Sequence, residues 1–222
     1  MRTATGLDIL RFEGFSRLAG KRIALLCNQA SIDHEADHVI DLMLPHHRSG
    51  AFRIEVVFGP EHGLYGHTQD NMIEWEGHDD PRTGLIIHSL YGKHREPTPE
   101  MLKDVDLLVV DIQDVGSRYY TFVWTMSHCI KACAEKGIPV MVLDRPNPIG
   151  GIQVEGTVLQ PGYESFVGLH PIPTRHAMTV AEVAEYVKAS FYPTAQLAPV
   201  TMLGWSRSDY FDDTDCIWSM PS

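Results

Sequence analysis

The sequence predicts an α/β protein in which a mostly parallel sheet is covered by helices. Apolar runs typical of buried strands alternate along the chain with segments of helical periodicity. The chain has 222 residues, of which 44% are hydrophobic and 21% charged, so it can bury a core without a disulfide framework. Strands that alternate with helices over this length are typical of parallel sheets with helical crossovers.

Six segments are predicted to be strands. The first, Arg22–Cys27, is apolar after its arginine, as in a strand that is buried on both faces of a sheet. The other predicted strands are residues 52–58, 85–90, 106–112, 139–143 and 197–203.

Three segments are predicted to be helices. Residues 39–44 begin a helix that Pro45 is expected to end or kink, because proline lacks an N–H and crowds the preceding turn. Residues 119–136 place apolar side chains at helical spacing, and Gly137 follows as a C-cap. Residues 179–191 begin with the Thr-x-x-Glu spacing of a capping box.

The charge balance argues against binding to nucleic acids or to anionic membranes. Lys and Arg number 18 and Asp and Glu 29, which gives a formal net charge of −11 with histidine neutral. A field of this sign repels phosphate groups. No apolar stretch approaches the ~20 residues of a membrane span.

The cysteines and the N-terminus predict a cytoplasmic protein. None of Cys27, Cys129, Cys133 and Cys216 lies in a CxxC pair, and free thiols are typical of a reducing compartment. The N-terminus lacks the apolar run of a signal peptide. A periplasmic or secreted protein is the alternative if a leader has been removed.

Polar residues follow the predicted strands and are expected to converge at one edge of the sheet, where α/β proteins bind ligands. They are Asn28-Gln29, Glu61-His62, Asp111 to Asp114, and Asp144-Arg145. The turn after the first strand contains no GxGxxG, so the dinucleotide-binding glycine motif is absent. The histidines match no standard metal-ligand spacing, and neither a metal nor another cofactor is expected.

Glu61 is the sharpest local candidate for chemistry. Gly59 and Pro60 end the strand before it and present Glu61 and His62 at the sheet edge. A carboxylic acid held in a cleft is what a general acid requires. A loop carboxylate that is satisfied by backbone N–H groups remains the alternative.

Two later loops add polar groups to the same edge. Asp111, Gln113 and Asp114, followed by Arg118 and Tyr119, suit a hydroxyl-rich ligand, although a helix cap and an internal Arg–Asp pair explain them equally well.

In the second of these loops, Arg145 either pairs with Asp144 or binds a substrate carboxylate. Glu155 supplies a further carboxylate, and two carboxylates across a sugar are the minimum for most glycoside hydrolysis.

Taken together and in order, several motifs resemble the exo-β-N-acetylmuramidase family of glycoside hydrolases, long catalogued as a domain of unknown function. The resemblance extends from Gly6 to Ser222. The motifs are GPEHG at 59–63, SLYGKHREPTPEML at 89–102, DIQDVGSRYYTF at 111–122, LDRPNPIGG at 143–151, VEGTVL at 154–159 and FVGLHPIPTRHAMTVAE at 166–182.

The resemblance implies a Rossmann-like N-terminal domain, a smaller C-terminal domain and an active site between them. It implies removal of terminal β-1,4-linked N-acetylmuramic acid from peptidoglycan fragments, in cell-wall turnover and recycling. The glutamate of GPEHG, here Glu61, would be the catalytic acid, and Glu155 and Asp114 are our candidates for the second carboxylate. The candidate substrate-binding residues are Asn28, Gln29, His62, Asp111, Gln113, Arg118, Tyr119, Asp144, Arg145, Asn147 and His176.

The chain also departs from the family. Members are usually longer, so we expect residues 1–205 to form the Rossmann-like catalytic domain and 206–222 to begin the connection to an absent C-terminal domain. Residues 66–80 differ from the family's usual loop. The alternative function is a truncated, non-catalytic module that binds a cell-wall sugar or a partner protein. Exposed apolar surface would favour a homo-oligomer.

Overall fold

The computed structural model describes residues 3–66 and 74–220. These residues form a six-stranded sheet with helices on both faces, which confirms the predicted fold class. The strands are β1 Arg22–Cys27, β2 Arg53–Gly59, β3 His78–Asp79, β4 Ile86–Ser89, β5 Leu107–Asp111 and β6 Val140–Val142. The α-helices are α1 Gly6–Phe12, α2 Val39–Ser49, α3 Phe122–Lys136 and α4 Val180–Phe191.

The strand β1 lies inside the sheet, whose strand order is β3-β4-β2-β1-β5-β6. It pairs in parallel with β2 on one side and with β5 on the other. The strands β4 and β6 extend the parallel part outward, and β3 pairs antiparallel with β4. The chain order reverses between β1 and β5, and Rossmann-like sheets bind their ligands at the carboxyl edge of this position.

Both faces of the sheet are covered by helices. Successive residues of a strand point to opposite faces, so Leu26 of β1 packs in the core that includes α3 and α4, while Leu25 packs in the core that includes α1 and α2. Both side chains are fully buried. Burial on two faces explains why the central strands are continuous apolar runs.

Two of the predicted helices end or begin where the sequence indicates. The helix α3 is followed by Gly137, a left-handed C-cap with φ of 67°. The helix α4 begins after Thr179, whose side chain accepts a hydrogen bond from the backbone N–H of Glu182 in a capping box.

The helix α2 does not end at Pro45. It continues to Ser49 and is closed by Gly50, whose φ is 80°. Proline removes one backbone hydrogen bond, but the turn beyond it packs well, because the ring of His46 lies 5.0 Å from that of Phe15 and 5.8 Å from that of Phe52. Tertiary packing therefore outweighs the lost bond.

Residues 197–203, predicted to be a strand, form isolated bridges among the described residues: Leu197 with Val140, Val200 with Leu143, and Leu203 with Ala4. Pro199 lies between the bridges of Leu197 and Val200 and has no N–H to donate to a ladder, which interrupts the pairing.

The helix α1, with 7 residues, and the strand β3, with 2 residues, were not predicted because elements this short show no clear periodicity.

Residues 206–220 fold back against the first part of the chain. The carbonyl of Thr214 accepts from the N–H of Thr3 at 3.4 Å, and the hydroxyl of Ser219 donates to the carbonyl of Gln29 at 3.2 Å.

Of the divergent stretch 66–80, residues 67–73 lie outside the described residues. Within the described ranges, no helix is long and apolar enough to cross a membrane.

Candidate functional site

The loops that follow the parallel strands bring the candidate side chains to the carboxyl edge of the sheet. Glu61 and His62 follow β2, Asp111 ends β5, and Asp144 follows β6. Asn28 follows β1, which lies between β2 and β5. This is the edge where a ligand of a parallel sheet is expected to bind.

The turn after β2 is tight and closely packed. His62 and Gly63 have positive φ values of 69° and 81°, so the chain reverses immediately after Glu61. A Cβ at Gly59 would lie 2.6 Å from the side chain of Trp75, so a larger residue there would displace the indole. These contacts fix the direction in which Glu61 leaves the sheet.

Glu61 is half-buried, and two hydroxyl groups hold its carboxyl group. The hydroxyl of Thr121 donates to Oε2 at 2.7 Å. The hydroxyl of Tyr91 also hydrogen-bonds to Glu61, and burial together with this carboxylate raises the pKa of Tyr91. Thr121 immediately precedes α3 and Tyr91 follows β4, so a helix and the sheet both position Glu61.

Arg95 lies beside this group, although it is absent from the residues predicted for the site. Its guanidinium stacks 4.1 Å from the ring centre of Tyr91 and 4.6 Å from that of Phe166. Glu74 pairs with it at 3.6 Å, and both side chains are exposed, so this ion pair is weak. Arg95 and Tyr91 belong to the SLYGKHREPTPEML motif, which was the available signal for both.

Arg145 and Asp111 form a buried ion pair at the same edge. Nε of Arg145 donates to Oδ1 of Asp111 at 2.6 Å, and an Nη donates to Oδ2 at 2.9 Å. Their exposed fractions are 4% and 0%, so a ligand carboxylate would have to displace that of Asp111. The partner of Arg145 is therefore neither Asp144 nor an open position for substrate, the two alternatives that the sequence offered.

Asp114 and His176 form a second buried pair. Nε2 of His176 lies 3.0 Å from Oδ2 of Asp114, a polar contact that is poorly aligned as a hydrogen bond. Nδ1 of His176 accepts from the N–H of Met178 at 3.2 Å, which leaves the ring proton on Nε2 facing the carboxylate. Among the described residues, Oδ1 of Asp114 has no hydrogen-bond partner, so it is the oxygen that a ligand could use.

Glu155 lies at the surface. Its carboxylate pairs with Nη1 of Arg175 at 2.7 Å, and 63% of its side chain is exposed. The backbones of the two residues also form an antiparallel bridge. Among the described contacts, Glu155 therefore faces Arg175 and Asp114 faces His176, and neither is paired with Glu61.

Arg118 and Tyr119 differ in their exposure. Nη1 of Arg118 donates to the carbonyl of Ile172 at 2.7 Å and to that of Thr157, so it ties a later loop to the start of α3. The ring of Tyr119 is 61% exposed and offers a stacking face to a sugar.

Asp144 lies at the N-terminus of α4. Its Oδ1 accepts from the N–H groups of Ala181 at 2.9 Å and of Arg145 at 3.0 Å. Burial raises the pKa of Asp144 to about 6, although these N–H groups and the hydroxyl of Thr179 favour its charged form. The contacts join β6 to α4.

Gln113 and Asn147 are buried and bonded within the loops. Nε2 of Gln113 donates to the carbonyls of Asp114 and Pro146 at 2.7 and 3.0 Å. Nδ2 of Asn147 donates to the carbonyl of Met178 at 2.9 Å. Both side chains hold the loops together at the edge of the sheet.

Asn28 and Gln29 follow β1. Oδ1 of Asn28 accepts from the N–H of Ala30 at 3.1 Å, while its Nδ2 is buried without a partner in the part of the chain that the structure describes. Nε2 of Gln29 donates to the carbonyl of Met220 at 3.2 Å.

Across residues 3–66 and 74–220, no group of three or more His, Cys, Asp or Glu side chains could hold a metal ion.

Comparison with known proteins gives concordant matches. A family model described as "Exo-beta-N-acetylmuramidase NamZ, N-terminal" matches residues 23–222. Peptidoglycan beta-N-acetylmuramidase NamZ of Bacillus subtilis (strain 168) is 44% identical over 218 residues, 98% of this chain and 52% of that protein. Two crystal structures of DUF1343 family proteins from Bacteroides fragilis superpose with TM-scores of 0.89 and 0.78, at 39% and 31% identity.

The superpositions cover 100% and 95% of this chain and 55% of each solved chain. The chain therefore spans about half the length of the relatives that it matches.

Proposed function

Because the chain belongs to the exo-beta-N-acetylmuramidase NamZ family, we propose that it supplies the catalytic acid of a glycosidase that releases terminal β-1,4-linked N-acetylmuramic acid from peptidoglycan fragments. The observation that carries the proposal is the position of Glu61. It stands half-buried at the carboxyl edge of the sheet, with its carboxyl group oriented by the hydroxyls of Thr121 and Tyr91.

In the proposed reaction, Glu61 donates a proton to the glycosidic oxygen as the bond from that oxygen to the anomeric carbon breaks. Positive charge develops on the sugar ring, and a second carboxylate stabilises it or activates the attacking water. Asp114 supports this role through its unpartnered Oδ1 at the same edge. Glu155 would first have to release Arg175.

Arg95 is our candidate for the group that recognises the lactyl carboxylate of muramic acid. Arg118 already donates to backbone carbonyls, and Arg145 already donates to Asp111. Arg95 is partly exposed, contacts the rings of Tyr91 and Phe166, and lines a cavity of about 340 Å³ together with Lys93, Lys136, Glu96 and Glu135. A guanidinium fork suits a carboxylate better than an ammonium does.

The experiment compares the release of 4-nitrophenol from a β-N-acetylmuramide and from the matching N-acetylglucosaminide. We expect release from the muramide, and we expect Glu61→Gln to lower kcat by about 10²–10⁴-fold, the usual contribution of a general acid. Glu185→Gln is the control, since Glu185 is an exposed residue of α4 whose one ion pair among the described residues is with Lys188 at 3.7 Å. Unchanged turnover in the Glu61 variant would remove it from the mechanism.

A second candidate function, a module that binds a cell-wall sugar without cleaving it, is favoured by one observation. Both candidates for the second carboxylate are paired with cationic or histidine side chains of the chain itself. The same assay separates the two functions when binding of N-acetylmuramic acid is measured in parallel by calorimetry. Binding without release from either glycoside would support this second function.

A further inference from the structure

A cysteine, a histidine and a carboxylate form a chain of side-chain contacts at the loop that follows β1. Sγ of Cys216 is 3.5 Å from Nε2 of His34, and Nδ1 of His34 is 2.6 Å from Oδ2 of Asp8. The three residues come from the C-terminal segment, the loop after β1 and the helix α1. None of them takes part in the proposed glycosidase chemistry.

Asp8 determines which nitrogen of His34 faces the thiol. Burial alone would raise the pKa of Asp8, but hydrogen bonds from Thr5 and the proximity of His34 outweigh burial and lower it, so the carboxylate is ionised. An ionised carboxylate only accepts, and therefore Nδ1 of His34 donates to it. The lone pair of Nε2 is then directed at Sγ of Cys216, as in a nucleophile–base–orienter arrangement.

Cys216 differs from the other three cysteines in its surroundings. Cys27, Cys129 and Cys133 are buried, whereas Cys216 is partly exposed. Burial raises the pKa of all three buried thiols, that of Cys133 to about 12. Thiolate chemistry in the native chain is therefore expected only at Cys216.

The other charged groups near Cys216 are largely neutralised by their own partners. Arg145 interacts electrostatically with Cys216 but pairs with Asp111 at 2.6 Å. Asp33 lines the same small cavity as Cys216 and pairs with Arg11. Asp215, its neighbour in sequence, is exposed. The imidazole of His34 is thus a base within reach of the thiol.

The cluster is accessible and held in place. Cys216 itself is partly exposed, and a groove of about 820 Å³ beside α1, lined by Asp8, His34, Phe12 and Leu203, reaches its base and orienting group but not the thiol. Two hydrogen bonds of 3.2 Å with Gln29 anchor the segment that carries Cys216. The hydroxyl of Ser219 donates to the carbonyl of Gln29, and the side-chain amide of Gln29 donates to the carbonyl of Met220. A small molecule can therefore approach the thiol only at its exposed side, where its base is already positioned.

We propose that Cys216, with His34 as its base and Asp8 as the orienting group, is a nucleophilic thiol that forms mixed disulfides with small-molecule disulfides. Nε2 of His34 takes the thiol proton, and the thiolate attacks one sulfur of the disulfide. A new S–S bond forms as the old one breaks, and the leaving thiolate takes the proton from His34. The sulfur of Cys216 is oxidised and the leaving sulfur is reduced, so no further oxidant is needed.

The test uses the whole native chain and 5,5′-dithiobis(2-nitrobenzoic acid), a disulfide whose released thiolate is coloured. We expect one thiol to react rapidly in the native chain, and all 4 cysteines of the sequence to react in denaturant. Cys216→Ser should abolish the rapid phase. His34→Asn should slow it at least tenfold at pH 7 and move the midpoint of its pH profile up toward the ~8.5 of a free cysteine.

The controls keep each outcome decisive. Cys133→Ser, which removes a buried thiol, should leave the rapid phase unchanged. Asp8→Asn repeats the test of the base if the His34 variant does not fold, with circular dichroism as the check on folding. A rapid phase that persists in Cys216→Ser, or a pH profile that is the same in wild type and in the folded His34 or Asp8 variant, would overturn the proposal.

Discussion

At the scale of the residue, Arg95 owes its suitability for an anion to the two rings that hold it. Contacts at 4.1 Å with the ring of Tyr91 and 4.6 Å with that of Phe166 hold the guanidinium, which also hydrogen-bonds to the hydroxyl of Tyr91. Glu74, its ionic partner at 3.6 Å, is a weak competitor because both groups are exposed. Arg95 thus lies beside Glu61, on the same tyrosine hydroxyl, with part of its guanidinium exposed.

We therefore predict that Arg95→Gln weakens recognition of muramic acid. The loss of a charge-assisted hydrogen bond of about 1.5–3 kcal/mol corresponds to roughly a 10- to 150-fold fall in kcat/KM, or in affinity for N-acetylmuramic acid. The value for the N-acetylglucosaminide should change little. Arg53→Gln is the control, because it removes the same charge at the opposite end of β2. Equal losses for both sugars would contradict this role.

Individual residues show what a sequence can and cannot predict about such a site. Glu61 was predictable because a Gly-Pro break after an apolar strand places the next polar residue at the sheet edge. The partner of Arg145 was not, because Asp111 lies 34 positions away and is brought close only by the pairing of β5 with β6. Choice among several acidic partners is a property of tertiary structure, which local pattern does not contain.

At the scale of the element, the end of β2 and the turn after it are joined by close packing. Gly59 pairs with Ser89 of β4, and a Cβ at this position would meet the indole of Trp75 at 2.6 Å. The indole N–H in turn donates to the carbonyl of Pro60 at 3.2 Å. The strand end, the indole and the turn that carries Glu61 therefore move together.

Gly59→Ala is predicted to destabilise the chain by about 1–3 kcal/mol, the usual cost of overpacking a core. It should also lower activity more than a stability change alone would, because displacement of Trp75 moves the turn. Gly168→Ala is the matched control, since its Cβ would meet its nearest neighbour at an ordinary 3.6 Å. Urea unfolding measures both variants, and equal stability of the two would refute the packing argument.

The predictability of elements follows their length and their burial. Strands buried on both faces and helices with clear caps, such as α3 and α4, were predicted because local signals and tertiary packing agree. The end of α2 was not, because the rings of Phe15 and Phe52 hold the turn after Pro45. Contacts of this kind come from distant parts of the chain, so helix propensity alone gives the wrong boundary.

At the scale of the whole molecule, two buried groups near opposite ends of α4, Asp144 and His170, respond to acid with opposite signs. Burial, with a contribution from His128, lowers the pKa of His170 from 6.5 to about 4. Because the unfolded chain then binds a proton that the folded chain does not, this histidine destabilises the fold as the pH falls from 6.5 to 4. Burial raises the pKa of Asp144 from 3.8 to about 6, so this carboxyl adds stability as the pH falls from 6 to 3.8. The two windows overlap almost completely, and each effect is on the order of 3 kcal/mol.

The near-cancellation predicts that neither effect is visible in the wild type and that each appears when the other is removed. The double variant His170→Phe, Ser127→Ala removes both members of the 2.7 Å Ser127–His170 hydrogen bond. As the pH falls from 7 to 4, its free energy of unfolding should rise relative to that of the wild type at the same pH. In Asp144→Asn it should fall more steeply than in wild type over the same range. Urea unfolding at unit pH intervals measures both slopes. The substitutions also change the stability at pH 7 for other reasons, so the test compares the slopes of the free energy of unfolding against pH. Parallel profiles in all three proteins would show that titration of neither group contributes to the pH dependence of stability.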